Sequence, residues 1–323
     1  MSDQANKLRD TIRQLREERQ AENSQIKTPL MELLQGDEQR SLAGKAKVFS
    51  ITSGKGGVGK TNFAVSLAVY LSRAGKRVTI IDADFGLANI EVLFGVVPRL
   101  GFSDVINGSN KIEEVLTPGP LGISFISGGS GLSNMANLSS DQMEQIIQSF
   151  ATLEKLTDIV IIDTGAGISK AVTGFVLAAS QAIVVTTPEP TSIADAYAIV
   201  KATKEASRLQ KLDMPDFKLV VNRVDSKAEG IEVFDKFSRA CGKFLEISVE
   251  KLGVIPYDQS LVKAVKTQKP VAMAFPASAS ACAIEDICSR ILYGFNSDES
   301  TEAVQTKGGL KSFARRLAGI FSK

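Results

Sequence analysis

The sequence predicts an α/β fold in which helices cover both faces of a mainly parallel sheet. Short apolar runs typical of buried strands recur along the chain, at residues 47–51, 77–82, 123–127, 158–163, 182–187 and 218–222. Helical patterns separate several of them, for example over residues 61–73 and 169–179. Parallel strands need crossover connections that are usually helices, so this alternation favours an α/β architecture. Ligands of such sheets bind at the carboxyl ends of the strands.

Composition and charge limit the classes of function. The chain has 323 residues, of which 44% are hydrophobic and 23% are charged, as in a globular protein. A formal net charge of +2 gives no global attraction to nucleic acid or lipid, so such contacts need local patches. The absence of histidine from the sequence excludes catalysis by a histidine base and the common zinc sites. Without an apolar run of about 18 to 20 residues or a signal-peptide core, the chain is expected to be cytoplasmic.

The sequence contains three cysteines, Cys241, Cys282 and Cys288. They are too few and too irregularly spaced for a disulfide framework, and no CxxC pair suggests a metal site. We interpret all three as reduced packing residues. The same shortage disfavours an electron-transfer or iron–sulfur scaffold ATPase.

The first 45 residues precede the predicted globular body at 46–296. Residues 1–22 are rich in Arg, Glu and Gln, and four apolar residues recur there at helical spacing: Ala5, Leu8, Ile12 and Leu15. This pattern predicts a charged helix with a thin apolar stripe, which needs a partner to be stable. Residues 23–45 lose the periodicity and are predicted to be a linker.

A glycine-rich loop carries the strongest functional signal. A full GxxxxGK[ST] motif lies between a strand and a helix, and its residues are Gly54, Lys55, Gly56, Gly57, Val58, Gly59, Lys60 and Thr61. The glycines let successive N–H groups turn toward phosphate, and the helix N-terminus adds its positive end. We expect Lys60 to reach the β- and γ-phosphates of a nucleotide and the Thr61 hydroxyl to bind Mg²⁺. Lys55 is additional to the general motif, and is either a second phosphate ligand or a solvated surface lysine.

Carboxylates follow two later strands of the predicted sheet. Asp82 and Asp84 lie two residues apart at a strand end, so both could face the phosphates, although a pair of helix-capping aspartates is the alternative. Asp163 ends another strand and precedes a flexible turn that contains Gly165. This arrangement is typical of a Walker B carboxylate and a turn that senses the γ-phosphate.

Base recognition is predicted at the end of a later strand. Asn222 and Arg223 close one strand, and an asparagine amide both donates and accepts, as contact with the adenine edge requires.

Several segments resemble the MinD/ParA family of ATPases with a deviant Walker A loop. The resemblance covers roughly residues 46–295, and its segments are GKGGVGKT, IDADFGLAN, DTGAG, TPEPTS and GVIPYDQS. It implies a MinD-like P-loop fold and an ATP-dependent sandwich dimer in which Lys55 contacts the partner's nucleotide. It also implies that Asp84 is the hydrolytic aspartate, with Asp82 and Asp163 on the metal side. It further implies that backbone groups of GVIPYDQS line the adenine, in particular those of Pro256, Tyr257 and Asp258.

The resemblance places Asp195 at the dimer interface. An ordinary acid in the first turn of a helix remains the alternative for this residue.

The N-terminal helix narrows the resemblance to one group within this family. DQANKLR at residues 3–9 is similar to the DQAxxLR motif of the flagellar-number regulators FlhG, FleN and YlxH. The similarity implies activation of the signal-recognition-particle-type GTPase FlhF, with Gln4 offered to its active site; the matching residues are Asp3, Gln4, Ala5, Leu8 and Arg9. Asn62, at a position where MinD and ParA usually have threonine, favours the same group. A charged leader helix without function is the alternative, and flagellar C-ring proteins or a flagellar transcriptional activator are further expected partners.

The last fourteen residues, 310–323, predict an amphipathic helix after a polar linker at 297–309. Its large apolar residues recur at helical spacing and are Leu310, Phe313, Leu317, Ile320 and Phe321. Each nearby basic residue contributes about 1 kcal/mol at an anionic leaflet, so we expect reversible binding to the inner face of the cytoplasmic membrane. Two helices in an ATP dimer would bind more tightly through avidity. A helix packed back on the body is the alternative, and both states are compatible.

Other functions of the same fold remain as alternatives. A MinD-type ATPase for division-site placement would use the same tail but not the N-terminal motif. ParA-like partition requires a basic surface for DNA, and we expect no sequence-specific nucleic acid binding. A binding module without hydrolysis would lack Lys60 or Asp84, and both are present.

Overall fold

The computed structural model describes residues 45–84, 89–128, 138–294 and 309–321. The predicted GTPase-activating helix at 1–22, with Asp3, Gln4, Ala5, Leu8 and Arg9, lies outside these residues. The linkers at 23–45 and 297–309 lie outside them except for Lys45 and Gly309.

A central sheet of eight strands confirms the predicted α/β class. The strands are β1 (Lys47–Ser53), β2 (Val78–Ala83), β3 (Thr117–Pro118), β4 (Ser124–Ile126), β5 (Ile159–Ala166), β6 (Gln181–Thr186), β7 (Asp216–Val224) and β8 (Val249–Pro256). Their order across the sheet is β3-β4-β2-β5-β1-β6-β7-β8. Neighbouring strands are parallel except for the antiparallel pair β3–β4.

All six strand-like runs of the sequence become strands. The apolar pattern did not identify β3 and β8, because β3 is only two residues long and polar or charged residues interrupt β8. These two strands are the outermost members of the sheet, where burial constrains the sequence least.

Helices lie between the strands and after them. They are α1 (Lys60–Arg73), α2 (Asn89–Phe94), α3 (Phe102–Ile106), α4 (Ile112–Val115), α5 (Ser140–Leu156), α6 (Lys170–Ala178), α7 (Pro190–Gln210), α8 (Lys227–Ala240), α9 (Gln259–Lys266), α10 (Val271–Ala274), α11 (Ala279–Tyr293) and α12 (Leu310–Phe321). At the starts of four helices, a serine hydroxyl accepts a hydrogen bond from a backbone N–H group; these serines are Ser139, Ser169, Ser226 and Ser278. Such caps satisfy donors that the helix itself leaves without a partner.

Buried apolar side chains cover both faces of the sheet. On one side, Phe63 and Leu67 of α1 and Ile284 of α11 belong to one core cluster. Another cluster includes Phe150 of α5 and Phe175 of α6. The six residues of β2 are all buried, as expected for a central strand of a parallel sheet.

The C-terminal helix α12 packs on the body. Its large apolar residues are all at most 5% exposed: Leu310, Phe313, Leu317, Ile320 and Phe321. A β-carbon on Gly174 of α6 would lie 3.0 Å from two ring atoms of Phe321, so glycine leaves the space that this ring needs. Glu154 of α5 accepts the backbone N–H of Leu310 at 2.8 Å and thereby caps the helix. The predicted helix is confirmed, and its apolar face lies in the core of this state.

Two of the three cysteines are packing residues. Cys241 and Cys288 are buried, whereas Cys282 is exposed, and all three are free thiols. The packing interpretation is therefore wrong for Cys282, which lies on the outer side of α11.

Within the described ranges, no helix has the length and apolar character needed to cross a bilayer.

Candidate functional site

The glycine-rich loop joins the end of β1 to the start of α1, at the centre of the sheet. Gly57 and Gly59 have φ angles of +77° and +93°, which strain residues that carry a β-carbon. A β-carbon on Gly59 would also lie 2.4 Å from Nδ2 of Asn222. Gly59 is the N-cap of α1 and offers no capping side chain, so the first N–H groups of this helix can donate to an anion.

Lys60 pairs with a carboxylate from the neighbouring strand. Its Nζ lies 2.8 Å from Oδ1 of Asp163, and the two side chains are 7% and 0% exposed. The other carboxylate oxygen, Oδ2 of Asp163, is buried and accepts no hydrogen bond from the described residues. A buried oxygen without a donor is costly, so this geometry fits a site where a hydrated cation supplies the missing partner.

Asp82 lies beside Asp163, because the two residues are paired in register on β2 and β5. Burial raises the pKa of Asp82 to about 7, and the nearby Asp163 carboxylate adds to this rise. Hydrogen bonds from the backbone N–H groups of Asp84, Asn89 and Ile90, at 3.0, 3.3 and 3.5 Å, act in the opposite direction. Two neighbouring buried carboxylates favour a divalent cation next to them.

The predicted hydrolytic residue Asp84 lies next to the end of β5. Its Oδ1 is 3.5 Å from the position that a β-carbon on Gly165 would occupy, which is an ordinary van der Waals distance. Gly165 belongs to β5, so the prediction that it lies in a flexible turn is wrong. Gly167, directly after the strand, donates its N–H to the carbonyl oxygen of Ser53 at 2.9 Å. The structure thus brings Asp84, the end of β5 and the start of the glycine-rich loop together.

Thr61 and Asn62 follow Lys60 in the first turn of α1, and both are partly exposed. In the part of the chain that the structure describes, no group of three or more Asp, Glu, Cys or His side chains could hold a metal ion. The proposed metal ligands Thr61, Asp82 and Asp163 combine one hydroxyl with two carboxylates, a donor set suited to Mg²⁺.

Lys55 contacts the start of α7 in its own chain. Its Nζ lies 2.6 Å from Oε2 of Glu189 and 3.2 Å from Oγ1 of Thr191. Gly54 packs on the same helix, since a β-carbon there would be 2.0 Å from the carbonyl oxygen of Asp195. Asp195 therefore lies against the loop. The sequence singled out the segment that contains Glu189 and Thr191, but it did not predict their contact with Lys55, which spans more than 130 residues.

Asn222 connects the loop to the candidate base site. Its Nδ2 donates to the carbonyl oxygen of Val58 at 2.7 Å, and its Oδ1 accepts the N–H of Arg223 at 2.9 Å. Arg223 has a φ of +58°, and the pairing of β7 with β8 shifts at this point. The amide thus supports the phosphate loop, a role that the sequence did not predict.

The Pro256–Asp258 segment lies beside Arg223. Tyr257 donates its N–H to Val224 at 3.0 Å, and its side chain is 58% exposed. Asp258 caps α9 and accepts hydrogen bonds from Ser260 and from the N–H and hydroxyl of Ser280. Burial acts to raise the pKa of Asp258, but these hydrogen bonds hold it well below its usual range. Its carboxylate is therefore structural, and a base contact at this residue would come from the backbone.

Comparisons with known proteins agree with this geometry. Residues 45–292 match the model of the ParA family, described as NUBPL iron-transfer P-loop NTPase. The antiactivator FleN of Pseudomonas aeruginosa is 37% identical over 271 residues, which are 84% of this chain and 93% of that protein. The flagellum site-determining protein YlxH of Helicobacter pylori is 32% identical over 277 residues, or 85% of this chain and 90% of its own length.

A solved structure shows the same fold. The septum site-determining protein MinD of Pyrococcus horikoshii, complexed with Mg-ADP, superposes with a TM-score of 0.60 at 23% identity. The match covers 76% of this chain and 96% of that one.

Proposed function

Because the chain belongs to the ParA family of P-loop ATPases, we propose that it is an ATP-dependent dimerising switch that controls the number or placement of bacterial flagella. The observation that carries the proposal is the two-lysine loop. Lys60 and Lys55 form ion pairs with carboxylates of their own chain, so the phosphates of ATP can replace the carboxylate at each lysine. The names of the FleN and YlxH relatives support the flagellar part of the proposal.

Nucleotide binding begins with the exchange of partners at Lys60. Its ammonium turns from Asp163 to the β- and γ-phosphates, while the N–H groups of the loop and of α1 donate to phosphate oxygens. The freed Asp163, with Asp82 and the Thr61 hydroxyl, would hold a hydrated Mg²⁺, which would supply positive charge next to the phosphates.

Hydrolysis of ATP to ADP and phosphate depends on Asp84. Its carboxylate orients the attacking water, and its position beside Gly165 at the end of β5 supports a role next to the γ-phosphate. In the dimer, Lys55 reaches the nucleotide of the partner and stabilises the charge that develops there, while Asp195 contributes to the interface. Both residues are near each other in this chain, since Lys55 contacts the start of α7, the helix that carries Asp195.

The base occupies the space beside the ends of β7 and β8. Asn222 and Arg223 line one side, and the backbone of Pro256, Tyr257 and Asp258 lines the other. The exposed Tyr257 ring supplies an apolar surface at this edge.

The terminal helices carry the output of the switch. Helix α12 would leave its groove and insert Leu310, Phe313 and the other apolar residues into the cytoplasmic membrane, and ATP-driven pairing would add avidity. The N-terminal helix would activate an FlhF-type GTPase through Gln4. A flagellar transcriptional activator or a C-ring protein is a further proposed partner, and the antiactivator name of the FleN relative supports the former.

The dimer and its hydrolysis are tested by the wild type and two variants, Lys55→Ala and Asp84→Asn. Light scattering after chromatography with ATP and Mg²⁺ should show dimers that accumulate in Asp84→Asn, because hydrolysis is blocked while binding is kept. Lys55→Ala should stay monomeric and still bind nucleotide. A dimer that forms equally well without Lys55 would contradict the proposal.

The flagellar output needs its own measurement. A peptide of residues 1–22, added in excess to the cognate flagellar GTPase, should stimulate GTP hydrolysis, and Gln4→Ala should abolish the stimulation. No stimulation by either peptide would favour a MinD-type role in division-site placement instead.

A further inference from the structure

An exposed apolar residue lies among basic side chains at the end of α7. Lys201, Lys204, Arg208 and Lys211 follow one another at steps of three and four residues, so they share one face of the helix. Leu209 lies beside them and is 78% exposed. The negative end of the helix dipole favours cations at this position, but it does not explain an exposed leucine.

A second exposed apolar side chain, Phe244, belongs to the π-helical turn Cys241–Leu245 that follows α8, and it is 66% exposed. In an α-helix, the residues three and four positions after the buried Cys241 would both face the core. In this wider turn, the N–H of Glu246 donates to the carbonyl oxygen of Cys241. Only Leu245 therefore returns to the core, and Phe244 stays outside. Such turns are rare and are often found at functional sites.

Lys204 joins these two parts into one surface. Its Nζ donates to the carbonyl oxygen of Leu245 at 2.5 Å, so the end of α7 contacts the π-helical turn. Lys243 lies over the Phe244 ring, with its Nζ 5.3 Å from the ring centroid. Both exposed apolar residues thus have basic neighbours. The α7-end surface comprises Lys204, Arg208, Leu209, Lys211, Lys243 and Phe244.

The α7-end surface continues onto the docked C-terminal helix. Leu212, directly after the end of α7, packs against the core cluster that contains the apolar face of α12. Arg316 of α12 donates to the carbonyl oxygen of Asp213 at 2.5 Å. On the outer side of α12, Lys311 and Arg315 are exposed. The docked helix therefore extends the basic surface.

We propose that the α7-end surface binds the anionic leaflet of a membrane while α12 is still in its groove. Residues 204–213, 243–246 and 310–321 contain seven basic and three acidic residues, although the whole chain has a net charge of only +2. Basic residues beside exposed leucine and phenylalanine suit the boundary between lipid headgroups and acyl chains. This contact belongs to the proposed membrane role and rests on it, but it needs neither ATP nor release of α12.

The contact should be weak and sensitive to salt. Each basic residue near an anionic leaflet changes the affinity roughly fivefold, and salt screens this attraction. The two apolar side chains add binding that salt does not screen. A nucleic acid would also attract the basic residues, but an exposed leucine offers it neither stacking nor a hydrogen bond.

Flotation of the nucleotide-free protein with lipid vesicles measures this contact. We expect binding to vesicles that contain phosphatidylglycerol, weaker binding in about 0.5 M salt, and none to vesicles of phosphatidylcholine. Arg208→Gln/Lys243→Gln should lower the affinity about tenfold, which allows for partial screening of two charges. Leu209→Ser/Phe244→Ser should lower it as well. All four side chains are exposed, so both variants should keep the wild-type urea midpoint.

Matched changes elsewhere on the protein are the controls. Lys263→Gln/Lys266→Gln removes the same charge from exposed positions of α9. Val97→Ser/Tyr293→Ser removes side chains that are 82% and 75% exposed. Both controls should bind vesicles nearly as the wild type does. Equal losses in the control and surface variants would contradict the proposal.

The same flotation with ATP, in the Asp84→Asn background, separates this proposal from the proposed switch. Phe244 and Lys243 lie outside α12, so release of α12 cannot account for an effect of these residues. If ATP raises binding while the surface variants bind normally without ATP, α12 alone contacts lipid and the α7-end surface is not a membrane site. If ATP has no effect but the surface variants still bind less, the switch fails and the surface stands.

Two further results would overturn the proposal. The first is a nucleotide-free wild type that does not bind anionic vesicles. The second is retention of a DNA duplex that depends on Arg208 and Lys243 while vesicle binding does not, which would make the surface a nucleic-acid site.

Discussion

Replacement of Asn222 by alanine separates two roles that one amide could have at this site. The side chain could read the adenine edge, or it could support the phosphate loop through its 2.7 Å hydrogen bond to the carbonyl oxygen of Val58. Asn222 is 5% exposed, so its removal leaves both Val58 and the N–H of Arg223 without their partner. An unsatisfied buried group costs about 1 to 3 kcal/mol. We therefore expect Asn222→Ala to lose roughly 2 kcal/mol of stability in urea unfolding.

The assay that separates the roles compares two ligands, Mg-ATP and inorganic tripolyphosphate, by isothermal titration calorimetry. Tripolyphosphate has no base, so a residue that only reads adenine would not affect its binding. We expect Asn222→Ala to lower the affinity for both ligands by a similar factor, about tenfold if 1.4 kcal/mol of loop stabilisation is lost. Asn222→Asp should lower both affinities further, because a carboxylate cannot donate a hydrogen bond to Val58 and repels phosphate. Asn110→Ala, which removes an amide whose exposed hydrogen bond goes to Glu114, is the control and should not change the binding of either ligand.

One result would refute this reasoning directly. If Asn222→Ala weakens the binding of ATP but leaves tripolyphosphate binding and protein stability unchanged, the amide contacts the base and is not needed to support the phosphate loop.

Three further predictions concern the helix groove, the buried carboxylate and a surface pair. Gly174→Leu should push against the Phe321 ring, cost about 1 to 3 kcal/mol of stability through overpacking and increase liposome binding without ATP. A variant that keeps α12 docked and binds liposomes no more than the wild type would contradict this. The raised pKa of Asp82, about 7, means that its folded state holds the proton more tightly, so nucleotide-free stability should fall as pH rises from about 4 to about 7. The urea unfolding midpoint should change less between pH 5 and pH 8 in Asp82→Asn than in the wild type. An equal change in both proteins would show that Asp82 does not cause the pH dependence of stability. Asp158→Asn should cost about 1 kcal/mol at pH 7, because burial acts to raise the pKa of this carboxyl but hydrogen bonds from the Arg77 side chain and backbone N–H lower it more strongly. The cost should shrink as pH falls below the ordinary aspartate pKa of about 4, and a constant cost would refute the assignment.

The local parts of the site were predictable from the sequence. A phosphate loop needs glycines at particular positions and a helix directly after it, and a short stretch of consecutive residues meets both requirements. The same holds for Asp82 and Asp163, because each follows an apolar strand that the pattern identifies. The contacts of Lys55 with Glu189 and of Asn222 with Val58 join residues 134 and 164 positions apart. Their geometry depends on the strand order β5-β1-β6-β7, which no local pattern determines.

The C-terminal helix shows a different limit of sequence patterns. An apolar stripe with basic flanks predicts a helix that buries one face, but it does not distinguish a membrane from a protein groove. In this structure Phe313 packs beside Phe150 and Phe175 in the core, with ring centroids 5.8 and 6.4 Å away.

The docked position of α12 sets a condition on any membrane role. Each large apolar side chain that leaves the groove loses about 1.5 to 3 kcal/mol of burial, and insertion into lipid returns a similar amount. The balance between the two states therefore depends on the smaller contacts that only the docked state has. They include the cap from Glu154, the hydrogen bond of Arg316 to the carbonyl oxygen of Asp213, at 2.5 Å, and the Lys170 ammonium over the ring of Phe321. For the proposed membrane role, the avidity that ATP-driven pairing adds therefore has to exceed the free energy of these contacts.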